Sequence, residues 1–273
     1  MTSLYLSEMT SGECRRIAEE DAVVVIPMGS MELEGRHLPL GVDTFVADGI
    51  VRHLKGVSGV CVGPTLPIGY SKWFLPFAGT ITLETDTLIR VLIEYVESLI
   101  SAGFRRFVFL NAHKGNNACI ESASRSMIDR HRIKIGMLSV WKLAHELCAV
   151  KDGIIEEGRF THAGEIMTST VMALKPETVV DERMRGDAPR SMQDSAFKVI
   201  NFLGEVSFKD SVQIVYQDIR EITDSGTIGD PTSASVEKGE AIIARLSEYA
   251  RAFLKEFRML SLQEDPTEVP CQA

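Results

Sequence analysis

Three short segments gather the residue types that bind divalent cations or move protons. Residues 29–43 (GSMELEGRHLPLGVD) hold Glu32, Glu34, His37 and Asp43, framed by Gly29, Gly35, Gly41 and Pro39. Carboxylates and imidazoles are the donors that take Zn²⁺, Mn²⁺ or Fe²⁺. In an extended segment Glu32 and Glu34 point the same way, because side chains alternate. Taken alone, the cluster also reads as a solvated loop with an acidic pair. Residues 111–117 (NAHKGNN) place His113 and Lys114 directly behind an apolar run. A histidine there either serves a site or bonds a helix end or a backbone carbonyl. Residues 161–169 (THAGEIMTS) place His162 just ahead of a helical pattern and Glu165 in its first turn. An imidazole titrates near neutrality and suits proton transfer. A carboxylate in a first turn is stabilised by the helix dipole whatever else it does. A cation needs ligands from separate segments, and these segments supply them.

Other chemistries find no support. Residues 225–231 (SGTIGDP) are glycine-rich, but the spacing is not that of a phosphate loop and no Lys-Ser/Thr pair follows, so a turn is the expected role. There is no GxSxG elbow, and no cysteine sits in a nucleophile's context.

The elements that must position these residues alternate. Residues 22–27 (AVVVIP) form a continuous, mostly β-branched apolar run, as in a strand buried on both faces. Residues 60–62, 106–110 and 134–140 are further strand candidates. Helical spacing marks 44–54, 87–102 (closed by Gly103), 117–130, 165–174 and 237–257. This alternation predicts an α/β layered fold with a parallel sheet, in which ligands sit beyond the carboxyl ends of the strands. The clusters at 29–43 and 111–117 fall at such ends. Residues 183–224 read as an insertion or lid-like region with a weak strand signal at 212–216. Residues 261–273 read as a polar tail after one domain over 1–260.

Composition adds limits. The chain of 273 residues is 45% hydrophobic and 25% charged, so it can bury a sizeable core. Its formal net charge of −9, without long basic runs, argues against a nucleic-acid partner. The five cysteines are scattered and odd in number, which fits a reducing compartment. No basic start followed by an apolar stretch opens the chain, and no apolar run approaches the roughly 20 residues of a membrane span. A cytoplasmic location is the expectation.

The segments GSMELEGRHLPLGVD (29–43), GFRRFVFLNAHKGN (103–116), HAGEIMTS (162–169) and SGTIGDPTSASVEKG (225–239) resemble, in order, the motifs of the creatininase-like amidohydrolases. Those are GSxEQHGxHLPxGxD, a G-F/Y-K/R-R strand ending in NGHGGN, HAGxxETS and SGxxGDPxxAxxEKG. The resemblance covers about residues 20–257. It implies a three-layer α/β/α fold with a mostly parallel central sheet, often assembled as a homo-oligomer, a hexamer. It also implies hydrolysis of C–N bonds in small cyclic amides or formamides, with some members acting on ring ketones. The family uses two divalent metals, Zn, Mn or Fe, and a bridging water. By resemblance Glu32 and His113 bind one metal, Asp43 bridges both, and His162 moves a proton.

The departures concern the second metal. Glu34 stands where the family has a histidine ligand, Met167 where HAGxxETS has glutamate, and Phe74 where a further histidine often stands. Gly115 supplies no carboxylate after His113. Either Glu34 replaces the imidazole, helped by Glu165, or the second site is lost and one metal or none remains. Trp73, Phe74 and Phe77 are expected to wall a pocket, with core packing the alternative for Phe77. Lys114 replaces a family glycine and can meet an anionic substrate group, and His37 is a further substrate-binding candidate. The expected function is metal-dependent hydrolysis of a C–N bond in a small polar metabolite, with His162 and Glu165 as catalytic groups. The alternatives are an inactive relative that binds a small metabolite, and a hydrolase or lactonase of a sugar or inositol ketone.

Overall fold

Strand β1 (Val23–Met28) is buried at every position, as its unbroken apolar run requires. In this computed structural model, which describes residues 3–158, 160–190, 192, 195–201 and 203–262, helix α1 (Ser11–Glu19) precedes that strand and α2 (Val42–Arg52) follows it. The chain continues through β2 (Val60–Val62), α3 (Thr85–Ser101), β3 (Arg106–Asn111), α4 (Asn117–Arg130) and β4 (Lys134–Ser139). Next come α5 (Val140–Ala144), a π-helical stretch over His145–Lys151, and α6 (Glu165–Leu174). Strands β5 (Lys198–Val199), β6 (Glu205–Phe208) and β7 (Ser211–Ile214) precede the short α7 (Ile219–Ile222) and the long α8 (Val236–Met259). The expected tail lies outside the described residues from 263 onward.

The first four strands form one parallel sheet in the order β2-β1-β3-β4. Val23 pairs with Val60 on one side and Arg106 on the other, and Asn111 pairs with Ser139. Alternation along β1 and β3 sends side chains to two separate cores. Val23, Val25, Val108 and Leu110 pack with residues of α2, α5, α6 and α8. Val24, Ile26, Phe107 and Phe109 pack with residues of α1, α3 and α4 on the opposite face. The result is the three-layer α/β/α arrangement expected from the sequence.

The region read as an insertion is a second sheet, antiparallel, ordered β5-β6-β7. Its β6–β7 hairpin turns through Lys209 and Asp210, both at positive φ (47° and 62°). Primed two-residue turns of this kind match strand twist, and Asn-Gly is their usual signature. Lys-Asp hides it. Among the described residues no helix is long and apolar enough to cross a membrane.

Candidate functional site

The site forms where β1 and β3 end. Asn116, fully buried, ties these ends together: its Nδ2 donates to Gly29 O (3.1 Å) and Asn111 Oδ1 (3.2 Å), and its Oδ1 accepts from Tyr70 N (2.9 Å). Asn111 in turn donates to His113 O at 2.7 Å. These bonds fix the turn that carries His113.

Glu32, Glu34, Asp43, His113 and His162 converge, all buried. Ligand atoms of Glu32, Asp43 and His113 lie within 4.8 Å of one another, as do those of Glu32, Glu34 and His162. Glu32, not Asp43, is therefore the residue common to both groups. Asp43 belongs to the first group, where its Oδ2 lies 3.0 Å from His113 Nδ1. The Trp141 indole N–H donates to Asp43 Oδ1 at 2.8 Å, and the Ser30 hydroxyl to Oδ2 at 2.7 Å. Neither Trp141 nor Ser30 was singled out in the sequence. The available signal was position: Ser30 closely follows β1 and Trp141 closely follows β4.

Each histidine has one nitrogen committed to a backbone carbonyl. His113 Nε2–H donates to Tyr70 O at 2.9 Å, and His162 Nδ1–H donates to Gly226 O at 2.6 Å. A carbonyl only accepts, so the tautomers follow. A neutral His113 then turns its Nδ1 lone pair toward Asp43 Oδ2, and two acceptors at 3.0 Å need a proton or a cation between them. His162 Nε2 faces Glu34 Oε2 at 3.2 Å and Glu32 Oε1 at 3.5 Å. The segment at 225–231, read as a turn, thus holds His162, and it also bridges to it through Ile228.

The electrostatics are those of a site short of positive charge. Burial, with Asp43 and Glu32 adding, pushes the Glu34 carboxyl well above the usual range. Burial opposes the charge of Glu32 too, but His113 and His162 outweigh it and bring its pKa below the ordinary value. Burial likewise opposes protonation of His113, but Glu32, Asp43 and the Tyr70 carbonyl raise its pKa to about 9. Among the described residues both oxygens of Glu34 and Oε2 of Glu32 accept no hydrogen bond, and leaving buried carboxyl groups so is costly. Oxygen and imidazole donors without thiolate suit Zn²⁺, Mn²⁺ or Fe²⁺. The residues fit a divalent cation.

Above them opens a cavity of about 660 Å³, lined by Trp73, Phe74, Lys114, Trp141, Phe160 and His162 among others, with the β6–β7 hairpin at its rim. The Phe74 ring stacks on the His162 ring, with centroids 4.6 Å apart. Trp73 Nε1–H donates to Gln217 O at 2.8 Å. Phe77 does not line the cavity; it packs beside Phe74 in a small apolar cluster.

Two candidates lie elsewhere. Glu165 does not reach the cavity: its Oε2 accepts from Glu156 N and Glu157 N, and its Oε1 pairs with Lys238 of α8. Its carboxylate is consumed in joining α6, α8 and the loop before His162. His37 is buried behind the site, where its Nε2 bonds Thr168 Oγ1 at 2.9 Å. Burial lowers its pKa to about 4. Gly115 offers no ligand for a physical reason: a Cβ there would lie 2.3 Å from Tyr70 O and 2.4 Å from His113 Nε2.

A family model described as creatinine amidohydrolase (creatininase) matches residues 7–254. The chain belongs to the creatininase family. Relatives within and around it differ in what they are named for. A mycofactocin precursor peptide peptidase of Mycobacterium tuberculosis is 27% identical over 88% of each chain. A creatinine amidohydrolase of Pseudomonas putida is 25% identical over 88% of this chain and 92% of its own. A 3-dehydro-scyllo-inosose hydrolase of Thermotoga maritima is 24% identical over 93% of this chain and 84% of its own. Among solved structures, a creatininase superposes with a TM-score of 0.78 at 23% identity, covering 96% of this creatininase-family chain and all of the other. A creatininase described with Mn gives 0.76, also at 23% identity, covering 95% of this chain and all of its own. These superpositions bear out the fold.

Proposed function

We propose that this protein is a metal-dependent hydrolase of an amide C–N bond. The observation that carries this reading is the pair of buried donor groups sharing Glu32 at the floor of the cavity. Glu32, Asp43 and His113 would hold one divalent cation. A bound divalent cation supplies Lewis acidity, making a water ionise near neutral pH and drawing electrons from a carbonyl. In hydrolysis the water oxygen joins the carbonyl carbon, the C–N bond breaks, and a proton from water ends on the departing nitrogen. His162 moves that proton through Nε2, because Nδ1 is committed to Gly226 O. Phe74 keeps the ring in plane, and Trp141 with Ser30 holds the Asp43 carboxylate in one orientation.

A second reading of the same residues has Glu32, Glu34 and His162 hold a second cation. One observation favours it: a ring nitrogen tied to a backbone carbonyl is the usual arrangement of a metal-ligating histidine. The relatives support a spread of substrates, one being named a peptidase, one a creatinine amidohydrolase and one an inosose hydrolase. The motif resemblance also supports a homo-oligomer, which light scattering on the purified protein tests, and the scattered, odd-numbered cysteines support a cytoplasmic location.

Elemental analysis after reconstitution with Mn, Zn or Fe is the deciding experiment. One cation per chain is expected if His162 serves as the proton relay, and two if it is a ligand. A protein that takes up none is not a metal-dependent hydrolase. Product analysis with creatinine, formamides and short peptides then reads the bond cleaved.

A further inference from the structure

We propose that Lys114 anchors a carboxylate of the substrate, and that this substrate is an amide with a bulky apolar body. The inference rests on the amide-hydrolase reading and names the substrate class for it. Cavities of roughly 300–1,000 Å³ enclose drug-sized ligands, and this one, at about 660 Å³, is within that range. Its walls are largely apolar: Trp73, Phe74, Phe160, Leu203, Ile214 and Ile222. At the rim Ile214 is 57% exposed and Tyr216 is 87% exposed, apolar surface that a ligand entering past the hairpin would cover.

Two lysines line this cavity, and they differ. Lys72 is engaged, with Nζ 2.8 Å from Glu84 Oε1. Lys114 Nζ lies 5.4 Å from the Phe160 ring centroid, and among the described residues it makes no ion pair. Glu205 acts on it only at longer range. Lys114 is exposed and lines the cavity, so a carboxylate brought in by a ligand would form a charge-assisted hydrogen bond with its ammonium. Lys114 favours one orientation of a carboxylate-bearing amide: carboxylate toward Lys114, amide toward the Glu32 floor. Lys114 follows His113 directly, which places this anchor beside the reacting centre.

The test is binding, read independently of turnover. The metal-loaded protein is titrated calorimetrically with 3-phenylpropionate and with its neutral counterpart 3-phenylpropan-1-ol, neither of which has an amide to cleave. Wild type should bind the carboxylate about tenfold more tightly, as a charge-assisted hydrogen bond implies. Lys114→Arg should keep that preference. Lys114→Met should lose it while still binding the alcohol, with cation content unchanged. No preference in wild type overturns the proposal. A preference that survives in Lys114→Met also overturns it, because the carboxylate is then bound elsewhere, the cation centre included. Cation content measured on the same samples shows separately whether the metal-hydrolase reading stands.

Discussion

Glu32 Oε1 lies 3.5 Å from His162 Nε2, and its other oxygen lies 3.4 Å from His113 Nε2. One carboxylate therefore links two histidines that are 49 positions apart in the sequence. Glu32→Gln should weaken cation binding at every position, by more than about 100-fold, since even partners outside the ligand set cost 10–100-fold. Glu34→Gln touches only the group that contains His162, so one cation should remain. Elemental analysis of the two variants checks this. Equal losses would mean that the groups are not separate.

The buried pair of Glu165 and Lys238 is placed to carry stability. The Glu165 carboxylate is 1% exposed and meets two backbone N–H groups as well as the ammonium. Glu165→Gln should cost about 3 kcal/mol, the scale of breaking one side of a buried pair, and leave cation content unchanged. Denaturant unfolding of E165Q, K238M and the double variant gives the coupling. Loss of cation without loss of stability would return Glu165 to the site.

The strands and most helices were legible because burial on two faces leaves an unmistakable apolar run, as in Val23–Met28 and Arg106–Asn111. Helix α1 carries only a short apolar pattern, and its sequence signature is the capping box of Thr10 with Glu13. The β6–β7 hairpin was reduced to a weak strand signal because Lys209-Asp210 takes a turn usually built from Asn-Gly. The motifs named the five residues that converge. Glu165 reads as a catalytic group in the sequence because its partner Lys238 is 73 positions away, and no local pattern announces such a pair. His37 was grouped with its neighbours for the opposite reason: proximity in sequence does not tell which face of a loop a side chain takes.

His37 gives a pH dependence of known sign. In the unfolded chain its imidazole takes a proton below its ordinary 6.5, while the folded protein resists until about 4. Its contribution is intact above pH 6.5, falls away as pH drops toward 4, and is gone below that. The full loss is about 3 kcal/mol by linkage. His37→Leu should flatten this part of the stability curve, measured by urea unfolding between pH 7 and 4.5. An unchanged slope would show that other groups set it.

Phe74 packs on His162 from the side of the cavity, and it is 4% exposed. Phe74→Leu keeps an apolar side chain but removes the stack, so the ring gains freedom and kcat should fall, by about tenfold for a loosened proton relay. Cation content should hold. A fall in cation content instead would identify His162 as a ligand. Either result separates the two readings of this histidine.

Gly115 tests whether the altered donor set is built into the backbone. Its missing Cβ is what lets Tyr70 O approach His113 Nε2. Gly115→Ala should force the two apart, free the His113 ring and weaken cation binding by about 10–100-fold, the effect of losing an orienting partner. Gly115→Glu adds a carboxylate but brings the same clash, so it should not raise cation content. Gly12→Ala is the control: among the described residues nothing lies within 4 Å of its Cβ position, and it sits in the first turn of α1. That substitution should be neutral or stabilise by up to about 1 kcal/mol. If Gly115→Glu instead gained a cation, the backbone at Tyr70 would have to yield, and Glu34 would be one of two routes to the second centre.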